Sequence, residues 1–222
     1  MSAQLYGGLS ASDVPFLLAG IWRTCLLALL SGVVGTITGA VLGCIRARSA
    51  AGRFLFAPLV DIVRSVPLII QFILLNSILA MAGHPQDPFW LGVTMLGVYA
   101  GVGCSEYVRA GLNAVPIEAR KTGRSMGLNY WQELLFVSTP IAWRTALPGI
   151  LGVAIALIKD TALVSVSVGG YIDFLRAAQI LIGRTNEGLK ILGGVGIVYF
   201  LLCYPISIYG KRLERRFHVD QN

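Results

Sequence analysis

The sequence predicts an all-α integral membrane protein with about five transmembrane helices and one ordered helix–turn–helix loop. Three observations carry this. First, of 222 residues, 55% are hydrophobic and only 13% charged, whereas a soluble domain carries roughly 25% charged residues. Second, the mean hydropathy is +0.72, too apolar for a disordered chain, a coiled coil or a disulfide scaffold. Third, charge-free runs recur at the length of about 20 residues that a bilayer demands.

The runs are Thr24 to Ile45, Ser65 to Gln86, Pro88 to Ser105, Thr145 to Ile172 (interrupted by Lys159-Asp160) and Ile191 to Gly210. They place spans at about 20–45, 58–83, 88–109, 147–171 and 190–210 within one membrane domain, 1–222, with a polar loop at about 112–146. The basic residues orient them. Arg46, Arg48, Arg53, Arg109, Arg120, Lys121, Arg124, Arg144, Lys211, Arg212, Arg215 and Arg216 fall on one face. Arg23, Arg176, Arg184 and Lys190 fall on the other, while Arg64 and Lys159 lie within spans. Positive charge accumulates on the cytoplasmic side, so the N-terminus is expected outside and the C-terminus inside. The same rule accounts for the formal charge of +7 without nucleic acid. No cleavable signal is expected ahead of the first span, because Arg23 is the first basic residue.

Gly35, Gly39 and Gly43 repeat every four residues on one face of the first span. Small residues at that spacing let helix backbones approach closely, and packing within the chain is the expected use. Cys25, Cys44, Cys104 and Cys203 lack metal-type spacing and read as buried hydrophobes. The two histidines, His84 in an outer turn and His218 in the tail, form no catalytic constellation.

The loop from Gly111 to Leu147 is too polar to span and too patterned to be slack. Pro116 suits a first helical turn. Gly127 suits the left-handed residue that ends a helix. Asn129 is an N-cap with Gln132 three residues on. A second short helix is expected to end at Pro140, with Pro148 opening the fourth span. The pair exposes aromatics and carries Arg120, Lys121, Arg124 and Glu133. It suits either an interfacial position on lipid or docking into a groove on a soluble protein.

Several stretches resemble a known family. Val115 to Gln132, followed by Thr139 to Pro148, resembles the cytoplasmic signature of binding-protein-dependent ABC importer permeases, within the polar amino acid branch (histidine, arginine, glutamine and opine permeases). Arg64-Ser65-Val66-Pro67-Leu68-Ile69-Ile70-Gln71, Glu106-Tyr107-Val108-Arg109-Ala110-Gly111 and Leu157 to Val166 resemble further stretches of that branch, in the same order. The resemblance covers about 17–216. One departure stands out: aligned on Gly127, Lys121-Thr122-Gly123 occupies the place of the family's Glu-Ala-Ala, and Glu118-Ala119 falls three residues early.

The resemblance implies a permease subunit of the bacterial inner membrane that moves polar amino acids and pairs with a second permease subunit. It implies two cytoplasmic ATPase subunits, which would bind ATP and Mg, and an extracytoplasmic binding protein. The chain itself has no cofactor and no enzymatic role in this reading, since its nearest approach to a phosphate-binding loop, Gly183 to Lys190, is out of register. The residues implied in ATPase coupling are Pro116, Glu118, Ala119, Arg120, Lys121, Arg124, Gly127, Asn129 and Trp131. Pathway candidates are Arg64, Pro67, Gln71, Glu106, Lys159, Asp160, Thr161 and Ser165. Ionisable residues at membrane depth cost about 2.5–3.5 kcal/mol on insertion scales, so Lys159 and Asp160 each need a partner or a cavity. Asp61 with Arg64, and Glu106 with Arg109, are three apart and expected to pair on one helical face. An autonomous channel or secondary transporter is the alternative.

Overall fold

A computed structural model describes residues 10–219, with side chains as far as Phe217, so the expectation for His218 lies outside the described side chains. The described residues form helices and connections without strands. In chain order they are α1 (Asp13–Arg48), α2 (Ala50–Ser65), α3 (Leu68–Met81), α4 (Pro88–Asn113), α5 (Ile117–Ser125), α6 (Tyr130–Glu133), a π-helical segment (Leu134–Ser138), α7 (Thr139–Ser167), α8 (Phe174–Thr185) and α9 (Gly188–Val219). Four helical stretches are long and apolar enough to cross a membrane, or five if the bent pair α2–α3 counts as one.

The glycine stripe builds the central pair. A Cβ on Gly39 would lie 2.5 Å from the Cys104 Cβ, and one on Gly43 would lie 2.7 Å from the Val108 Cβ. The α4 glycines reciprocate, since a Cβ on Gly97 would meet the Val34 Cγ1 at 2.6 Å. The two backbones therefore touch along their length, as the small-residue spacing predicted. Leu27, Phe72, Leu96, Ala100, Leu157 and Val164 fill the core beside this seam. Leu18, Trp22, Leu29, Val33 and Ile37 stay exposed on α1, the pattern of a lipid-facing surface.

Three expectations need correction. The second span is not one helix through 58–83. Its halves, α2 and α3, meet at 102°. Proline disfavours helical backbone at the residue before it, and Val66 is extended at φ −85°, ψ 128° ahead of Pro67. With 14 residues, α3 is about 21 Å long, short of the roughly 30 Å hydrocarbon layer. The second loop helix does not end at Pro140, nor does Pro148 open the fourth span. Helix is continuous from Tyr130 to Ser167, with Pro140 in the first turn of α7 and Pro148 inside it. The π segment re-registers the backbone there: the Leu134 carbonyl accepts from the Thr139 backbone N–H and, at 2.7 Å, from its hydroxyl. Finally, Asp61 and Arg64 form no ion pair among the described residues, whereas Glu106 and Arg109 do, at 2.8 Å.

One helix was not anticipated. α8 lies between α7 and α9, at the end of the molecule away from the loop. Asp173 caps it by accepting from the Arg176 N–H at 2.8 Å, and Asn186 ends it in the left-handed region at φ 57°.

Candidate functional site

The loop 112–146 is held by local chemistry at each turn. α4 ends at Asn113, and Val115 is buried beside Leu112 and Ala142. Pro116 is extended at φ −56°, ψ 138° and launches α5. Glu118 in the first turn and Arg124 in the last suit the helix dipole. Gly127 stands at φ +87°, where an L side chain is disfavoured, and its N–H donates to the Arg124 carbonyl at 3.0 Å. Asn129 and Gln132 form the reciprocal capping box, each backbone N–H reaching the other's side chain at 2.9 Å. Gly123 is buried against Val137, which seats α5 on the π segment.

This scaffold presents an apolar surface. Met126 is 78% exposed and Trp131 73%. Ile117, Leu135 and Phe136 are exposed as well. Of the coupling candidates, Pro116, Glu118, Lys121, Arg124, Gly127, Asn129 and Trp131 are exposed. Ala119 and Arg120 are half-buried, and Arg120 reaches inward to donate to the Leu112 carbonyl at the end of α4. Exposed apolar residues beside charge, on a loop held by a turn and a capping box, are suited to receive another macromolecule.

The pathway candidates do not converge on one site. Arg64 and Asp160 line a cavity of about 130 Å³ together with Tyr99, Gly103 and Val153. A basic and an acidic residue therefore line the same small space. Gln71 serves the backbone instead. Its amide donates to the Val63 and Val66 carbonyls at 2.8 and 2.7 Å, satisfying groups freed by the bend at Pro67. Such groups cannot be left bare in lipid. Glu106 is held between Arg46 at 2.6 Å and Arg109. Thr161 and Ser165 are buried and bond back to the Ile158 and Ala162 carbonyls of their own helix. Lys159 is exposed on α7, and neither it nor Asp160 forms an ion pair among the described residues.

Sequence reasoning missed a larger cleft. A space of about 1120 Å³ opens at the loop end, lined by Tyr107, Pro116, Pro140, Arg144, Gly149 and Phe217 among others. Its signal was visible only as Gly149, whose missing side chain makes room for the Tyr107 ring.

Known proteins share this fold. Residues 35–219 match the family model described as the binding-protein-dependent transport system inner membrane component. The chain is 27% identical over 206 residues to the arginine transport system permease protein ArtQ of Bacillus subtilis, covering 92% of this chain and 93% of that one. It is 26% identical to the glutamine transport system permease protein GlnP of Escherichia coli K12, covering 93% and 94%. Among solved structures it superposes on an amino acid ABC transporter crystallised with histidines, with a TM-score of 0.81 and 25% identity over 92% of this chain and 95% of that one. The inward-facing MetNI methionine ABC transporter shares the fold at a TM-score of 0.78. With the family model covering most of its length, the chain belongs to the binding-protein-dependent transport system inner membrane components.

Proposed function

We propose that this chain is the permease subunit of an ATP-driven importer of polar amino acids in the bacterial inner membrane. It forms the pathway with a second permease subunit, alike or related. Two separate ATPase subunits, carrying ATP and Mg, dock on the loop 112–146, and an extracytoplasmic binding protein delivers solute from the other side. The N-terminus then lies outside and the C-terminus inside. The observation that carries this reading is the exposed surface around Gly127, where Met126 and Trp131 are open to solvent along with Lys121 and Arg124. The names of the relatives, arginine and glutamine permeases among them, support the polar amino acid class.

The pathway residues favoured are Arg64 and Asp160, whose opposite charges across one cavity suit a zwitterion. ATP binding shifts the population between inward- and outward-open states, because the ATPases grip the loop differently in each. Liposomes decide between this and an autonomous carrier. Uptake of labelled arginine or glutamine should require ATPase, binding protein and ATP together. Uptake from the chain alone would overturn the importer reading. Asp160→Ala should lose transport while the complex still assembles, and retained transport would remove Asp160 from the pathway.

A further inference from the structure

Glu133 lies under the exposed patch and is fully buried, with no exposure of its side chain. One carboxylate oxygen accepts from the Ser138 hydroxyl within the π segment. The other faces the Arg48 guanidinium at 3.4 Å, and Arg48 is itself only 12% exposed. That guanidinium also sits 5.7 Å above the Tyr130 ring. A carboxylate so buried is strongly destabilising without its cation, so the loop and the last residue of α1 are bound to each other.

α1 is packed closely against α4. Its glycines admit no gap, and Arg46, two residues before Arg48, is sealed to Glu106 at 2.6 Å and to the Ser105 hydroxyl at 3.3 Å. At its opposite end α1 grips α8. The Thr24 hydroxyl accepts from the Phe174 N–H at 3.1 Å, and Gly20 lets the Phe174 backbone lie directly against α1. The Tyr171 hydroxyl donates to the Arg23 carbonyl at 2.9 Å, Arg23 donates to the Ile172 carbonyl at 3.2 Å, and Arg184 pairs with Asp13. Thr24 and Arg48 are about 36 Å apart along the helix. A contiguous run of packed elements therefore joins the loop to α8, a route along which coupling between distant sites can be carried.

We propose that Arg48 and Glu133 are positioning residues: their buried ion pair is the joint through which motion of the docking loop enters α1, and α1, clamped to α4, delivers that motion to α8. This rests on the reading of the loop as the ATPase contact. It gives α8 a function that the loop alone does not require, as the element that reports nucleotide state on the face where solute arrives.

The test is hydrogen exchange on the intact complex, with and without trapping by ATP and vanadate. In the unaltered complex, trapping should change exchange both in the loop, residues 117–138, and in α8, residues 174–185. Arg48→Gln and Glu133→Gln should each abolish the nucleotide-dependent change in α8 while the change in the loop persists. The exchanged pair, Arg48→Glu with Glu133→Arg, should restore it. A merely structural role would instead alter α8 equally with and without nucleotide. The proposal is overturned if the α8 change survives in both single variants, or if α8 in the unaltered complex ignores nucleotide while the loop responds. Should the single variants fail to hold the ATPase, the exchanged pair decides: restored α8 response supports the joint, and its absence overturns it. No nucleotide effect on the loop of the unaltered complex would refute the docking reading itself, and the joint with it.

Discussion

Gly39→Ala isolates the seam between α1 and α4. The added methyl would sit 2.5 Å from the Cys104 Cβ and 2.8 Å from the Gly101 carbonyl oxygen. Carbon atoms in contact prefer about 3.5–4.0 Å, so the helices must part by about 1 Å. They have no slack, because the α4 glycines press α1 in return: a Cβ on Gly101 would collide with the Thr38 hydroxyl. Both obstructions at Gly39 are backbone or a short, stiff side chain, which cannot swing away. Overpacking of this kind costs about 1–3 kcal/mol. The matched control is Gly196→Ala in α9, where a Cβ meets nothing within 4 Å. There the methyl should stabilise the helix by about 0.5–1 kcal/mol. For a chain of this size the two variants should differ in melting temperature by about 3–16 °C. Thermal unfolding in detergent, followed by tryptophan fluorescence, reads the difference. A Gly39→Ala protein that melts at or above Gly196→Ala would refute the close-packed seam.

Gly127→Val meets no steric neighbour, so its cost is the left-handed backbone alone, about 1–2 kcal/mol. Insertion should be intact while ATP hydrolysis in the assembled complex loses its stimulation by solute-loaded binding protein; normal stimulation would argue against the loop's role. Gln71→Leu leaves the Val63 and Val66 carbonyls without their donor, at about 1–3 kcal/mol for each unsatisfied group. The melting temperature should fall by several degrees, and an unchanged value would deny Gln71 its part in holding the bend. Burial pushes the Asp173 carboxyl above its ordinary value of 3.8, against the lowering effect of the Arg176 N–H bond. The folded state thus binds this proton more readily than the unfolded chain. Its contribution to stability is greatest below the ordinary value and declines as pH rises through the folded one. Asp173→Asn should flatten that part of the stability profile, which pH-resolved melting curves would show.

The parts legible in the sequence are those fixed by neighbours along the chain. Most of the charge-free runs coincide with helices long and apolar enough to cross a membrane, because lipid excludes charge. The four-residue glycine spacing located a helix seam. Gly127 and the Asn129–Gln132 pair specified a turn and a cap from positions three residues apart, and both formed as the local chemistry dictates. What escaped depends on relations the linear pattern does not display. Pro67 stood inside an uncharged run, so counting charges joined two helices that its backbone separates. Pro140 looked like a stop because the π segment that carries helix through it is a matter of hydrogen-bond register. Gln71 read as a polar lining, yet its amide serves a bend that composition did not announce. Arg48 and Glu133 are 85 residues apart and meet only once α1, α4 and the loop are packed. The cap and stop of α8, Asp173 and Asn186, were present but short, and their meaning came from the backbone.

We propose that a separate ATPase works this permease from the loop around Gly127, and a structure of the complete assembly in the membrane decides it. The ATPase should be found seated on Met126, Trp131 and Phe136, with Arg48 and Glu133 still joined beneath them. An ATPase resting elsewhere, or a loop that lies on the face receiving the binding protein, would contradict it.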